Sequence, residues 1–252
     1  MKKEQNGQFS YLFETIPNNL TVSFFSAGYQ SKPYYITTKV RPELIDFNVQ
    51  LTYPQHTRKN PDHFFNNGNL NIPQHTRIFW NISCTNTDSV EFIIGDQLSI
   101  LPNYIPDNQL YTLNYTATKN DPYEIILANK YGRNSETIKY QITIIKDLFP
   151  ELKVNFFVDT VYYNFVLVTG TISDDYGISS LVIEKKGKSD TLIALPVKDI
   201  PHSQSFYHKI PISEEMLNQR EQIELQVILT DNDKPNNYKS TFSIPFHLPV
   251  SY

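Results

Sequence analysis

Three stretches of this chain share one pattern at a spacing of about one hundred residues. Residues 20–44, 123–152 and 223–248 each give an alternating strand, a turn rich in Gly, Asn or Asp, a Ser, and a second alternating strand. The first two also end on the same Pro-Glu-Leu, at Pro42 and Pro150. The interval is too long for a solenoid unit and fits a whole small β domain. The pattern therefore predicts an all-β chain of tandem β-sandwiches. The first module arrives with only its last strands.

Composition agrees. Hydrophobic residues make up 40%, and Tyr (17) and Phe (16) supply most of the bulk, which favours strands over helices. The formal charge is -4, and Lys and Arg do not cluster, which argues against a nucleic-acid surface. Cys84 is the single cysteine, so neither an intrachain disulfide nor a Cys/His metal framework can be assembled. No run of eighteen apolar residues exists, and residues 1–30 lack the apolar core of a signal peptide. At face value that suggests a cytoplasmic protein. A chain that begins mid-module reads better as a piece of a longer one, because two lone strands leave sheet edges open.

The expected domains are residues 1–42, the C-terminal part of a truncated module; 43–147, a complete sandwich; and 148–252, a second. In the first, residues 8–16 and 20–26 read as a strand pair, with 33–40 as a third strand. In the second, Ile45, Phe47, Val49 and Leu51 share one face. The clearest strand holds Ile78, Trp80, Ile82 and Cys84 on one face at period two. Trp80 is therefore expected in the core. Seven or eight short strands at about ten-residue spacing match the sandwich pattern. In the last module, Ser213 and the acids after it predict a short capped helical turn. The junctions are short and carry Pro42 and Pro150, which predicts a restricted, extended arrangement of modules.

Two resemblances follow. Tyr123-Glu-Ile-Ile-Leu-Ala-Asn-Lys-Tyr-Gly132 resembles the penultimate strand of an immunoglobulin-type domain, with Ile125 where the Cys would stand. Five further places carry the second resemblance: Gly7-Gln-Phe-Ser-Tyr11, Tyr53-Pro-Gln-His-Thr57, Gly68-Asn-Leu-Asn-Ile-Pro73 leading to Ile78-Phe-Trp80, Asp174-Asp-Tyr-Gly-Ile178, and Thr230-Asp-Asn-Asp233 followed by Lys239-Ser240. Through these the chain is similar to a family of large, functionally uncharacterised Bacteroidetes envelope proteins. Those have N-terminal membrane helices and tandem immunoglobulin-like modules. His56 and His75 stand where that family usually has Tyr and Gly. The resemblance covers essentially the whole chain. It implies a periplasmic or cell-surface fragment of a membrane-anchored protein, with membrane contact only through segments absent from this chain and with no catalytic role.

Four acids form the most chemical-looking group: Asp174, Asp175, Asp231 and Asp233. Loops of paired carboxylates at one end of a sandwich suit Ca²⁺, which takes six to eight oxygen ligands. The plainer reading is that these residues close Asx-turns. His56 and His75 sit in two identical Pro-Gln-His-Thr-Arg stretches with His63 between them. Together they offer a zinc set, against surface-loop histidines in a degenerate motif. Tyr104, Tyr111, Tyr115, Tyr162 and Tyr163 offer a glycan-stacking platform, against half-buried strand positions. No nucleophile motif, phosphate loop or metalloprotease motif appears. The expected function is a non-catalytic spacer and protein-interaction region that needs no cofactor. The alternative is a calcium- or glycan-binding module.

Overall fold

The structure, a computed structural model, describes residues 2–3, 7–16, 19–96, 98–159, 161–162, 164–213 and 223–248. Apart from three short 3-10 turns, the regular elements are all strands. None of the described segments is a helix long and apolar enough to cross a membrane. The predicted helical turn after Ser213 lies outside the described residues.

Residues 44–144 build one core. The strands Asn103–Ile105, Leu110–Ala117, Thr76–Thr85, Glu43–Thr52 and Asp62–Phe65 form one sheet, in that order. The facing sheet runs Leu98–Ile100, Ser89–Ile94, Asp121–Asn129, Ile138–Ile145 and Leu70–Pro73. Its last pair is parallel, with Ile142 opposite Leu70, so the chain crosses between sheets after Asp62–Phe65. Two sheets closed this way over one apolar layer make an immunoglobulin-like sandwich. Trp80 is fully buried at its centre, 5.3 Å from the Phe92 ring and 5.4 Å from Tyr123. Its indole N–H donates to the Tyr123 hydroxyl, which in turn donates to the Gly68 carbonyl (2.8 Å). Each polar group of this aromatic centre thus has a partner. Ile125, at the position of the immunoglobulin Cys, is completely buried, so packing replaces the disulfide.

One expected core residue turns outward. Ile45 is 59% exposed. The register shifts between Ser83 and Cys84, which pair with Asp46 and Leu44, leaving Ile45 as the extra residue of a bulge. A bulge reverses the alternation on its far side, so Leu44 packs on the core in place of Ile45.

The second core spans residues 152–248. Glu151–Val158, Phe165–Ser173 and Gln204–Pro211 form one sheet. Thr191–Leu195, Ile178–Lys186, Glu224–Asp231 and the split strand Ser240–Phe242 and Phe246–His247 form the other. All pairs here are antiparallel.

Among the described residues of 7–41, none joins a buried core. Leu20–Val22 pairs with Tyr34–Ile36, and Phe25–Ser26 with Tyr29–Gln30, as one extended hairpin. The expected pairing of 8–16 with 20–26 does not form; Phe9–Ser10 pairs with Lys2–Lys3 instead. Pairing 20–22 with 34–36 satisfies the same backbone groups across a two-residue tip at Ala27 and Gly28, both at positive φ. Phe9, Tyr11, Phe24, Phe25 and Tyr29 remain exposed.

The three repeated hairpins share a hydrogen-bond device. Phe24 N–H donates to Ser31 Oγ (2.9 Å), and Ser31 N–H donates to the Phe24 carbonyl (2.8 Å). Leu127 and Asn134 Oδ1 repeat the exchange at 2.9 and 2.9 Å, and Val227 and Ser243 Oγ at 2.9 and 2.8 Å. In each case a side-chain oxygen takes the place of a ladder carbonyl where the second strand deviates. Pro33 and Pro245 follow two residues after the serines and cannot donate to a ladder. Asn134→Ala is expected to leave the Leu127 amide without its acceptor. It should cost about 1–2 kcal/mol in a denaturant titration, while Asn134→Ser costs less.

Candidate functional site at the module junction

The loops at one end of the second module meet loops of the third across the linker 146–150. Both Pro-Gln-His-Thr-Arg stretches lie here, and both share one side-chain hydrogen bond. Thr57 Oγ1 donates to the Pro54 carbonyl (2.8 Å), and Thr76 Oγ1 to the Pro73 carbonyl (2.6 Å). The first copy forms the 3-10 turn Gln55–Thr57 and ends on Arg58 at φ 53. The second places His75 at φ 63. The repeat is thus a turn motif that points two histidines at the third module.

His75 Nε2 lies 3.0 Å from Asn236 Oδ1. Arg58 Nη1 donates to the Tyr176 carbonyl (2.8 Å), and its Nη2 pairs with Asp199 Oδ2 (2.6 Å). The His56 ring stands edge-on to Tyr176, and its side chain is only 6% exposed. It is therefore no surface-loop histidine. Burial lowers its pKa in spite of the nearby Asp233. Gly177 fits beneath this contact: a Cβ there would stand 3.2 Å from Arg58 Nη1 and closer still to Asp199 and Asn232.

Next to His56 the acids converge. Asp174 Oδ2 accepts from Tyr176 N–H (3.0 Å) and Gly177 N–H (2.7 Å). Asp231 Oδ1 accepts from Asp233 N–H (3.1 Å) and Lys239 N–H (2.8 Å). Asp233 Oδ2 accepts from Asn236 Nδ2 (2.7 Å) and Lys239 Nζ (2.7 Å). One oxygen of Asp174 and one of Asp231 therefore lock their loops, as the Asx-turn reading has it, while Asp233 Oδ2 takes side-chain donors. These acids meet a residue that the sequence reading missed, Asp147 in the linker. One donor atom from each of Asp147, Asp174 and Asp231 lies within 4.8 Å of the other two, as do those of His56, Asp147 and Asp233. Asp175 is exposed and joins neither group.

Lys239 is the counter-charge. Its ammonium lies 2.7 Å from Asp233, 3.3 Å from Asp147 and 3.3 Å from Asp231, with the side chain 17% exposed. Burial opposes its charge, yet Asp233, Asp147 and Asp231 outweigh burial and hold the pKa above the usual lysine value. Asp233 is held low although burial works against it, through hydrogen bonds from Lys239 and Asn236. Asp147 goes the other way: burial, with Asp175 and Asp233 nearby, pushes it up to about 7 despite Lys239. Burial likewise raises Asp174.

The other candidate groups do not assemble. No ligand-distance cluster among the described residues includes His63 or His75, and His63 is exposed on Asp62–Phe65. The Tyr104 and Tyr111 rings lie 4.8 Å apart at a tilt of 41° in the second module. Tyr115 bonds Asp121 beside Trp80, and Tyr162 lies exposed in the third module. Tyr163 is outside the described residues. No five-ring platform results. Burial pushes the Cys84 thiol up to about 12, far from a reactive thiolate.

Strand order and closure define the class: tandem immunoglobulin-like β-sandwiches. Among solved structures, the fibronectin(III)-like modules of Clostridium thermocellum CbhA are 20% identical, covering 72% of this chain and 87% of that one, with TM-score 0.23. A titin immunoglobulin tandem is 8% identical, covering 73% and 90%, with TM-score 0.25. At those values neither carries an argument, and the fold assignment rests on the topology above. No protein-family model matches the chain, and no curated protein matches it significantly.

Proposed function

We propose that this chain is a non-catalytic, extracytoplasmic part of a larger envelope protein, in which coupled immunoglobulin-like modules act as a spacer and present a protein-binding surface. The observation that carries the reading is the junction. Arg58, His75 and Asn232 of facing modules make direct bonds across a short linker that enters the third module through Pro150. Such an arrangement transmits position, which a spacer needs and a flexible linker lacks. Residues 1–42 then serve as the last hairpin of a further module. Its exposed aromatics and open strand edges offer a protein partner strand addition. The extracytoplasmic placement rests on the resemblance to Bacteroidetes envelope proteins.

The test is motional. In ¹⁵N relaxation the second and third modules should tumble as one body, and Arg58→Ala should give them separate correlation times while each keeps its own melting point. Independent tumbling of the unaltered chain would refute the spacer reading.

A further inference from the structure

Buried polar atoms normally find partners, so an orphan calls for a reason. Among the described residues, seven buried side-chain oxygens and nitrogens have no hydrogen-bond partner, and six of them belong to the junction loops and linker. They are His56 Nδ1, both oxygens of Asp147, Asp174 Oδ1, Asn232 Oδ1 and Asp233 Oδ1. The side chain of Asp233 is 0% exposed and that of Asp147 7%. Three carboxylates, at Asp147, Asp231 and Asp233, share one ammonium, that of Lys239, and Asp174 offers a fourth within 4.8 Å of Asp147 and Asp231. Lys239 lies at 3.3 Å from Asp147 and hydrogen-bonds to Asp231 and Asp233, so both Asp147 oxygens and Asp174 Oδ1 stay without a donor. Desolvated negative charge of this density needs more positive charge than one lysine supplies.

We propose that the junction binds one calcium ion, held by Asp147 of the linker with Asp174 and Asp231 of the third module. The chemistry selects the ion. Three carboxylates within 4.8 Å of one another are hard oxygen donors, with no thiolate and no imidazole in that group. They come from three separate segments, which suits the variable geometry of Ca²⁺ better than the strict octahedron of Mg²⁺. The loops are already set, because the second oxygen of Asp174 and that of Asp231 hold the turns. Ca²⁺ draws the Lys239 ammonium off Asp147 and Asp231, while Asp233 keeps it. Because Asp147 lies between the modules, the ion ties the linker to the third module and stiffens the junction. That consequence rests on the coupled-module reading; the binding itself does not.

Isothermal titration of the full chain with CaCl₂, after chelator treatment, tests the binding. One saturable site is expected, with affinity between about 10⁻⁵ and 10⁻³ M. Asp147→Asn and Asp174→Asn should each weaken it by on the order of tenfold or more. Asparagine keeps the turn acceptor at 174, and circular dichroism is the check that the variants fold. Asp175→Asn, which removes a nearby charge but no ligand, should weaken binding far less than Asp147→Asn does, and Lys239→Gln should bind more tightly. No saturable heat from the parent chain, binding by Lys239→Gln alone, or unchanged affinity in Asp147→Asn would each overturn the proposal. Magnesium binding as tightly as calcium would overturn the choice of ion. Calcium binding by modules that tumble independently would leave the site standing and refute the spacer reading.

Discussion

Trp80→Ala is expected to cost the second module about 3–5 kcal/mol. The indole is fully buried between Phe92, Tyr115 and Tyr123, so its removal opens a cavity where three aromatic faces now meet. The ring also positions a hydroxyl: Tyr123 reaches the Gly68 carbonyl while facing the indole N–H. Losing it frees Tyr123 to shift, and with it the Gly68 turn that leads into Leu70–Pro73. Trp80→Phe keeps part of the volume and should cost less. Urea titration followed by far-ultraviolet circular dichroism measures both. In the parent chain this single tryptophan should emit at short wavelength until the second module unfolds. A cost near zero, or native emission typical of exposed indole, would show that the core is built otherwise.

The same residue shows how far sequence carries. Period-two alternation over Ile78, Trp80 and Ile82 identifies the buried face, because one register serves a sheet packed on one side. The hairpin repeat is legible for a comparable reason. A strand, a turn and a strand are local, and Phe24, Leu127 and Val227 fall at the same offset in each copy. The bonding partners were only half legible, since Asn134 does the work of Ser31 and Ser243 through a different side chain. Ile45 escapes the alternation because a bulge is decided by the partner strand, not by the strand that carries it. The parallel pair of Leu70–Pro73 with Ile138–Ile145 escapes for want of any local signal. At the candidate site, the sequence yields Asp174, Asp231 and Asp233 as loop acids but not their company. Arg58 and Asp199 are 141 residues apart, and His75 and Asn236 are 161 apart. Pairings of that range depend on how two finished modules meet. Asp147 and Lys239 carry no motif that marks them as facing one another.

Lys239→Met is expected to destabilise the third module by about 3–5 kcal/mol in the presence of a chelator. Methionine keeps most of the aliphatic stem and removes only the charge. The Lys239 amide still reaches Asp231 Oδ1, so the turn itself stays closed. What is lost is the ammonium shared by Asp147, Asp231 and Asp233, two of which are fully buried and the third nearly so. Breaking a buried ion cluster on one side leaves charge that neither water nor protein compensates, which costs more than the intact cluster contributes. The melting transition of the third module should fall by roughly 4–8 °C per kcal/mol, with that of the second module unchanged. Asp147→Asn in the same chain should recover a measurable part, and the double-mutant cycle gives the coupling directly. A loss below about 1 kcal/mol would mean that solvent reaches these carboxylates and that Lys239 is an ordinary surface partner. Calcium supplies the missing charge from outside the chain, so it should restore more stability to Lys239→Met than it adds to the parent. If it restores none, the carboxylates depend on lysine alone.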